Sequence, residues 1–422
     1  MEPEVRMKKE AFQVAVTGMG TINPLAKDLP SFSKALEEMT IGIDRISAYD
    51  ASPYTFQVAA EVSDFDPKMY MDRKRAKKYD RFIQFAVAAT RFALEDAALT
   101  MDGEWKKQAG VTISSGIGGL QTLLKAMKDF GDLGPEYISP FLIPMVIPDM
   151  ASGAVSMEFG LKGPNFATVS ACATSLHAVI MSAMMIKHGY TKLVVTGGSE
   201  ALIHPLPIGA FGNMMALSRN NQNPKEASNP FDRRRDGFVM GEGAGVLVLE
   251  EMEHARQRGA RIYGTIEGFG LSGDAFDFSA SDPQGEGASR AINQAFEVSG
   301  VSPSQVDFIN AHATATIIGD ISEANSLRSS FGEALKNIPV QGTKSLIGHG
   351  LGAAGANELI AAILETQNGF IHGMPSLTQR DEAFTDLNIP EKTVYRKSSV
   401  FLKNSFGFGG HNASLIFRAI SD

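Results

Sequence analysis

The chain has 422 residues, 44% apolar and 20% charged, which is too long for one ordinary domain and rich enough for a large core. A formal net charge of −8 argues against a general nucleic-acid binder, and a single cysteine, Cys172, rules out an intramolecular disulfide framework. One cysteine beside 19 methionines suits a reducing compartment.

The polar start Met1–Glu10 is not a secretory signal, and no run approaches the roughly 18 apolar residues of a membrane span. The most apolar helix candidate, His177 to Ile186, is too short and is interrupted by Ser182. The expectation is a cytoplasmic protein with neither nucleic-acid nor membrane partners.

In chain order, Val14–Thr17 reads as a strand ending at Gly18, and Arg81–Leu99 as a helix with Phe82, Phe85, Ala86, Ala89, Ala93 and Ala97 on one side. Cys172–Lys187 reads as a buried helix stopped by His188-Gly189. Lys192–Thr196 is a strand candidate halted by Gly197-Gly198, and Val246–Leu249 is another. Val306–Asn310 leads into His312, and Ile338–Gln341 leads toward Lys344 and His349. Gly352–Thr366 then reads as a helix. Val400–Leu402 and Ala413–Phe417 flank the turn Gly407-Phe408-Gly409-Gly410. Strands alternating with helices make an α/β protein, whose sites lie past the strand ends.

Several chemistries have no motif. No Walker A sequence is present, and Gly18-Met19-Gly20 is followed by Asn23 where a dinucleotide fingerprint needs glycine. Gly197-Gly198-Ser199-Glu200-Ala201 misses the serine-hydrolase elbow. There is no CxxC or HExxH, so no metal is expected.

Cys172 is set among small residues at a helix start, where the macrodipole favours the thiolate. Position alone does not separate it from an inert buried cysteine, the commonest fate of a free one. His188 and His254 sit among charged residues as surface groups, and His177 reads as buried in its helix. His312 and His349 each occupy a short Gly/Ala/Thr-rich loop after an apolar strand. Only the fold can bring these three residues together.

Ala171-Cys172-Ala173-Thr174, Asn310-Ala311-His312-Ala313-Thr314, Lys344-Ser345-Leu346-Ile347-Gly348-His349 and Asn404–Gly410 resemble the four site motifs of the elongating β-ketoacyl-acyl-carrier-protein synthases, type II. Val16–Gly20 and Asn229–Gly241 resemble them too, in the family's order, and the likeness runs from about residue 11 to 419. It implies a thiolase-like αβαβα fold of two duplicated halves, residues 11–258 with the cysteine and 259–422 with the two histidines, paired as a homodimer. It also implies a decarboxylative Claisen condensation in fatty acid elongation. The chain would hold no cofactor, because the phosphopantetheine arrives on the acyl carrier protein.

By the same resemblance Cys172 would take the acyl chain. His312 and His349 would drive malonyl decarboxylation, and the backbone N–H groups of Cys172 and Phe408 would form an oxyanion hole. Lys344 and Glu358 match a buried charged pair beside the second histidine, and Thr314 and Thr316 match positions that bind the phosphopantetheine. Ile117 matches an acyl-pocket gate, and Lys74, Lys77 and Lys78 match carrier-docking positions. Decarboxylation puts negative charge on a thioester oxygen, so two neutral imidazoles fit, and the Lys344 ammonium resists their protonation.

A degradative thiolase needs a second cysteine, which is absent, and initiating synthases place asparagine at His349. A polyketide-type ketosynthase and a chain-length partner subunit are the alternatives; the latter characteristically lacks the nucleophile. The chain departs from the pattern at His411, where threonine is commoner. It is also more apolar at Ile317-Ile318, and it lacks the basic residues often found at Glu136, Tyr137 and Met215.

Overall fold

β1 (Val14–Ile22), β2 (Gly110–Ser114), β3 (Leu193–Glu200) and β4 (Gly243–Glu251) form one half of a nine-stranded sheet. β5 (Gly264–Gly273), β6 (Phe308–Asn310), β7 (Val340–Gln341), β8 (Val400–Gly407) and β9 (His411–Ala419) form the other. The structure is a computed structural model describing residues 13–100 and 102–420, so Met1–Glu10 lies outside the described residues.

The spatial order is β2-β3-β4-β1-β5-β9-β8-β6-β7. Outward from the middle, β1-β4-β3-β2 and β5-β9-β8-β6 repeat one pattern: two antiparallel pairings, then a parallel one. Among the described residues, the strands of the two halves pair where Val14–Val16 meets Gly264–Ile266.

Six helices matter for the site: α1 (Arg81–Asp96), α2 (Leu120–Leu133), α3 (Thr174–Lys187), α4 (Glu286–Ser299), α5 (Ile317–Phe331) and α6 (Ala354–Asn368). Successive strand residues face opposite ways, and here both faces are covered. Leu247 and Leu249 of β4 pack with Leu176 and Val179 of α3 and Leu359 and Ile363 of α6, whereas Val246 and Val248 pack with Phe82 and Phe85 of α1. In the other half, Phe401 and Phe417 join the same central core, while Leu402 and Ile416 meet Ala295 of α4 and Leu327 of α5. The result is helix, sheet, helix, sheet, helix, with α3 and α6 in the middle layer.

Glycine does not end the strands as the sequence pattern predicts. β1 continues through Gly18 and Gly20, and β3 through Gly197 and Gly198. A Cβ at Gly20 would lie 2.1 Å from the Ala89 carbonyl of α1, and one at Gly197 would lie 2.0 Å from the Gly245 carbonyl of β4. These glycines mark close backbone approach, not turns. Among the described residues, no helix is long and apolar enough to cross a membrane.

Candidate active site

The two middle helices begin alike. A 3₁₀ turn, Ala171–Ala173, precedes α3, and another, Leu351–Ala353, precedes α6. Cys172 lies in the first turn, with Ala171 at φ +49°. Thr174 Oγ1 accepts from Ser170 N–H at 2.9 Å, and Ser170 Oγ meets His177 Nδ1 at 2.9 Å, so the turn is held from inside the helix. Gly407 of β8 presses on it from outside: a Cβ there would sit 2.7 Å from Ser170 O and 3.1 Å from Cys172 N. His177 is half-buried, and His411 packs edge-on to it at 6.4 Å.

Burial pushes the Cys172 thiol up to about 12, against a weaker downward pull from Lys344, while Glu200 and Glu358 add to the rise. Burial thus works against the pull that a helix start exerts toward the thiolate.

His312 follows β6 with one residue, Ala311, between them. The loop it opens has φ +43° at Ala313 and +65° at Ala315, and buried carboxylates of α5 hold it in that form. Glu323 accepts from the N–H groups of His312 and Ala313 at 2.8 Å each, and Asp320 accepts from Ala315 N–H at 3.1 Å. Lys344 was expected beside the second histidine, but its Nζ lies against His312: 2.5 Å from the carbonyl oxygen and 3.3 Å from Nδ1. The reason is placement, because Lys344 starts a single helical turn after β7, the strand that pairs with β6. Glu358 of α6 is ion-paired with Lys344 at 2.6 Å and with Lys403 of β8 at 2.7 Å.

His349 is fixed by its own backbone, which donates to Val239 O at 2.7 Å and accepts from Gly241 N–H at 2.9 Å. Its Nδ1 accepts from Leu351 N–H at 3.3 Å. Its Nε2 is buried and has no partner among the described residues. The two imidazoles cross edge-on with centroids 5.5 Å apart, packed by Phe406 on His312 and Phe238 on His349. Burial first, then Lys344 with Lys403, holds both rings well below the ordinary histidine range.

A cavity of about 430 Å³ reaches all of these groups: Cys172, His312, His349, Thr314, Thr316 and Phe408 line it, with Met215, Ile317 and Ile318 among the others. Thr314 and Thr316 hydroxyls are 3.0 Å apart, and Thr316 caps α5 by accepting from Gly319 N–H at 3.2 Å.

Residues 11–255 match the β-ketoacyl synthase N-terminal domain and residues 263–378 its C-terminal domain. The chain belongs to the β-ketoacyl synthase family. The 3-oxoacyl-[acyl-carrier-protein] synthase 2 of Staphylococcus aureus (strain N315) is 41% identical over 408 residues, 96% of this chain and 98% of that protein. The enzyme of the same name from Coxiella burnetii (strain RSA 493 / Nine Mile phase I) is 41% identical over 414 residues, 98% of this chain and 100% of its own. Among solved structures, a type II polyketide synthase acyl-carrier protein in complex with its ketosynthase, bound to the hexaketide, superposes with a TM-score of 0.89 at 28% identity, covering 98% of this chain and 100% of that one.

In this β-ketoacyl synthase the remaining expected residues lie apart from the cavity lining. Ile117 follows β2 and donates its N–H to Glu200 at 3.3 Å. Lys74, Lys77 and Lys78 are exposed around the short helix Arg73–Ala76, with Lys78 Nζ 4.5 Å from the centroid of the Phe141 ring. Glu136, Tyr137, Met215 and His411 are all exposed.

Three buried residues of the synthase site escape the sequence reading. Lys403 and Glu323 have the contacts given above. Glu200, at the end of β3, accepts from Ser115 Oγ at 2.7 Å, Gly116 N–H at 2.9 Å and Gly352 N–H at 3.0 Å, tying the two halves together. The available signal is a charged residue inside a run of otherwise strand-like residues, as at Glu200 and Lys403.

Proposed function

We propose that this site joins an acyl chain held on Cys172 to a two-carbon unit from malonyl thioester, as a β-ketoacyl-acyl-carrier-protein synthase of fatty acid elongation. The carrying observation is the pair of buried neutral imidazoles beside the lone cysteine in one cavity, with the His349 Nε2 unpartnered. The Cys172 thiol attacks the acyl thioester, and the carrier's thiol leaves with the proton. Malonyl thioester then loses carbon dioxide, and the electron pair moves onto the thioester oxygen, where Nε2–H groups of His312 and His349 receive it. The enolate carbon attacks the Cys172 thioester while Cys172 and Phe408 N–H groups hold the new oxyanion. Collapse releases the Cys172 thiolate, which takes one proton from solvent.

Thr314 and Thr316, on the cavity wall, would hold the phosphopantetheine that the carrier brings, so the enzyme needs no cofactor of its own. Acyl carrier protein is the partner, docking through Lys74, Lys77 and Lys78, and Ile117 gates the acyl pocket. The relatives at 41% identity favour fatty acid over polyketide elongation, and Cys172 argues against a chain-length partner subunit. A cytoplasmic homodimer fits a broad apolar face on α2 and the neighbouring helix Leu142–Val146, where Phe130 is 54% and Ile143 64% exposed in the single chain. Intact-mass analysis after treatment with acyl carrier should show one acyl adduct, absent from Cys172→Ala. Equal labelling of that variant would overturn the assignment and revive the partner-subunit reading.

A further inference from the structure

Lys403 has no solvent exposure, and its strand neighbours explain how it comes to be buried. β8 alternates: Phe401 and Lys403 face the middle layer, while Asn404 faces α5 and donates to Glu323 at 3.3 Å. A buried ammonium needs partners. Lys403 Nζ has Glu358 Oε2 at 2.7 Å and donates to the Asn404 carbonyl. The first oxygen of the same carboxylate holds Lys344 at 2.6 Å. Lys344 thus spends its three donors on Glu358, the His312 carbonyl and His312 Nδ1.

We propose that Lys403 is a positioning residue for the histidine pair: it anchors the second oxygen of Glu358 so that Lys344 stays aimed at His312, and it adds a second positive charge behind both rings. This rests on the condensing reading above. With one cation only, Glu358 is free to rotate about its own bonds and carry Lys344 away from Nδ1. With two, each oxygen is held. Charge counts the same way, since two lysines face two buried carboxylates, Glu358 and Glu323, and the imidazoles of His312 and His349 stand as neutral donors beside a balanced cluster.

A nearby cation disfavours imidazolium, so removing Lys403 lets the rings protonate at higher pH. Burial also lowers the Lys403 ammonium itself to about 8, so its charge is lost in mildly alkaline solution. Carbon dioxide release from malonyl carrier should therefore fall in wild type above about pH 8. In K403M the acid limb should move up by about one pH unit, with kcat reduced and KM for malonyl carrier little changed. K403R keeps its charge and should restore the wild-type acid limb while extending the plateau to higher pH.

Each variant is first checked by thermal melting. Should K403M fail to fold, the alkaline limb of K403R against wild type decides; should K403R fail, the acid limb of K403M does. Superimposable pH profiles for wild type and the folded variant would overturn the role of Lys403. A wild type that releases no carbon dioxide from malonyl carrier would instead overturn the condensing reading itself.

Discussion

An imidazole that accepts a hydrogen bond at Nδ1 carries its proton on Nε2. His349 accepts at Nδ1 from Leu351 N–H, and His312 presents Nδ1 to the Lys344 ammonium, so each neutral ring carries its proton on Nε2, and both residues line one cavity. His312→Ala and His349→Ala should each lower carbon dioxide release from malonyl carrier about 10²–10³-fold while acyl loading of Cys172 persists. Release at the wild-type rate in either variant would remove that ring from the chemistry. Cys172, His312 and His349 are legible in the sequence because each sits in a small-residue motif at an element boundary. The burial that pushes the thiol up is not, since the helix-start position points toward a thiolate and burial opposes it. Lys403 and Glu323 are equally hidden, because a buried charge is recognised by its partners, and theirs lie on other elements.

At the scale of elements, strand cores are legible from apolar runs and their ends are not. Gly18, Gly20, Gly197 and Gly198 look like stops because a lone glycine and a turn glycine are written with the same letter. What distinguishes them is the partner: α1 lies so close to β1 that a Cβ at Gly20 would also meet Ala93 N at 2.6 Å. Gly20→Ala should force the helix off the strand and destabilise the protein by about 1–3 kcal/mol, read from chemical denaturation. A change within experimental error would mean that the layers yield more easily than their spacing implies. The same close packing governs β8 at Gly407, where the strand passes over the Cys172 turn.

For the whole molecule, net charge opposes the proposed partner. The chain carries −8 and acyl carrier proteins are acidic, so attraction has to come from a local patch around Lys74, Lys77 and Lys78. Reversing Lys77 and Lys78 to Glu should raise KM for the carrier and flatten its dependence on salt, with Cys172 still reactive to small electrophiles. An unchanged KM at low salt would place docking elsewhere. A further consequence comes from the seam between the duplicated halves. Gly407 of the second half shapes the turn that carries Cys172 in the first, and Glu200 of the first half holds the Gly352 N–H of the second. Duplication ordinarily frees one copy to drift while the other keeps its work. Here a substitution on either side of the seam should be felt at the candidate site residue of the other half, Cys172 or His349. Chimeras that exchange whole halves between distant relatives should therefore fail through mismatch at the seam, even when every reactive side chain is retained.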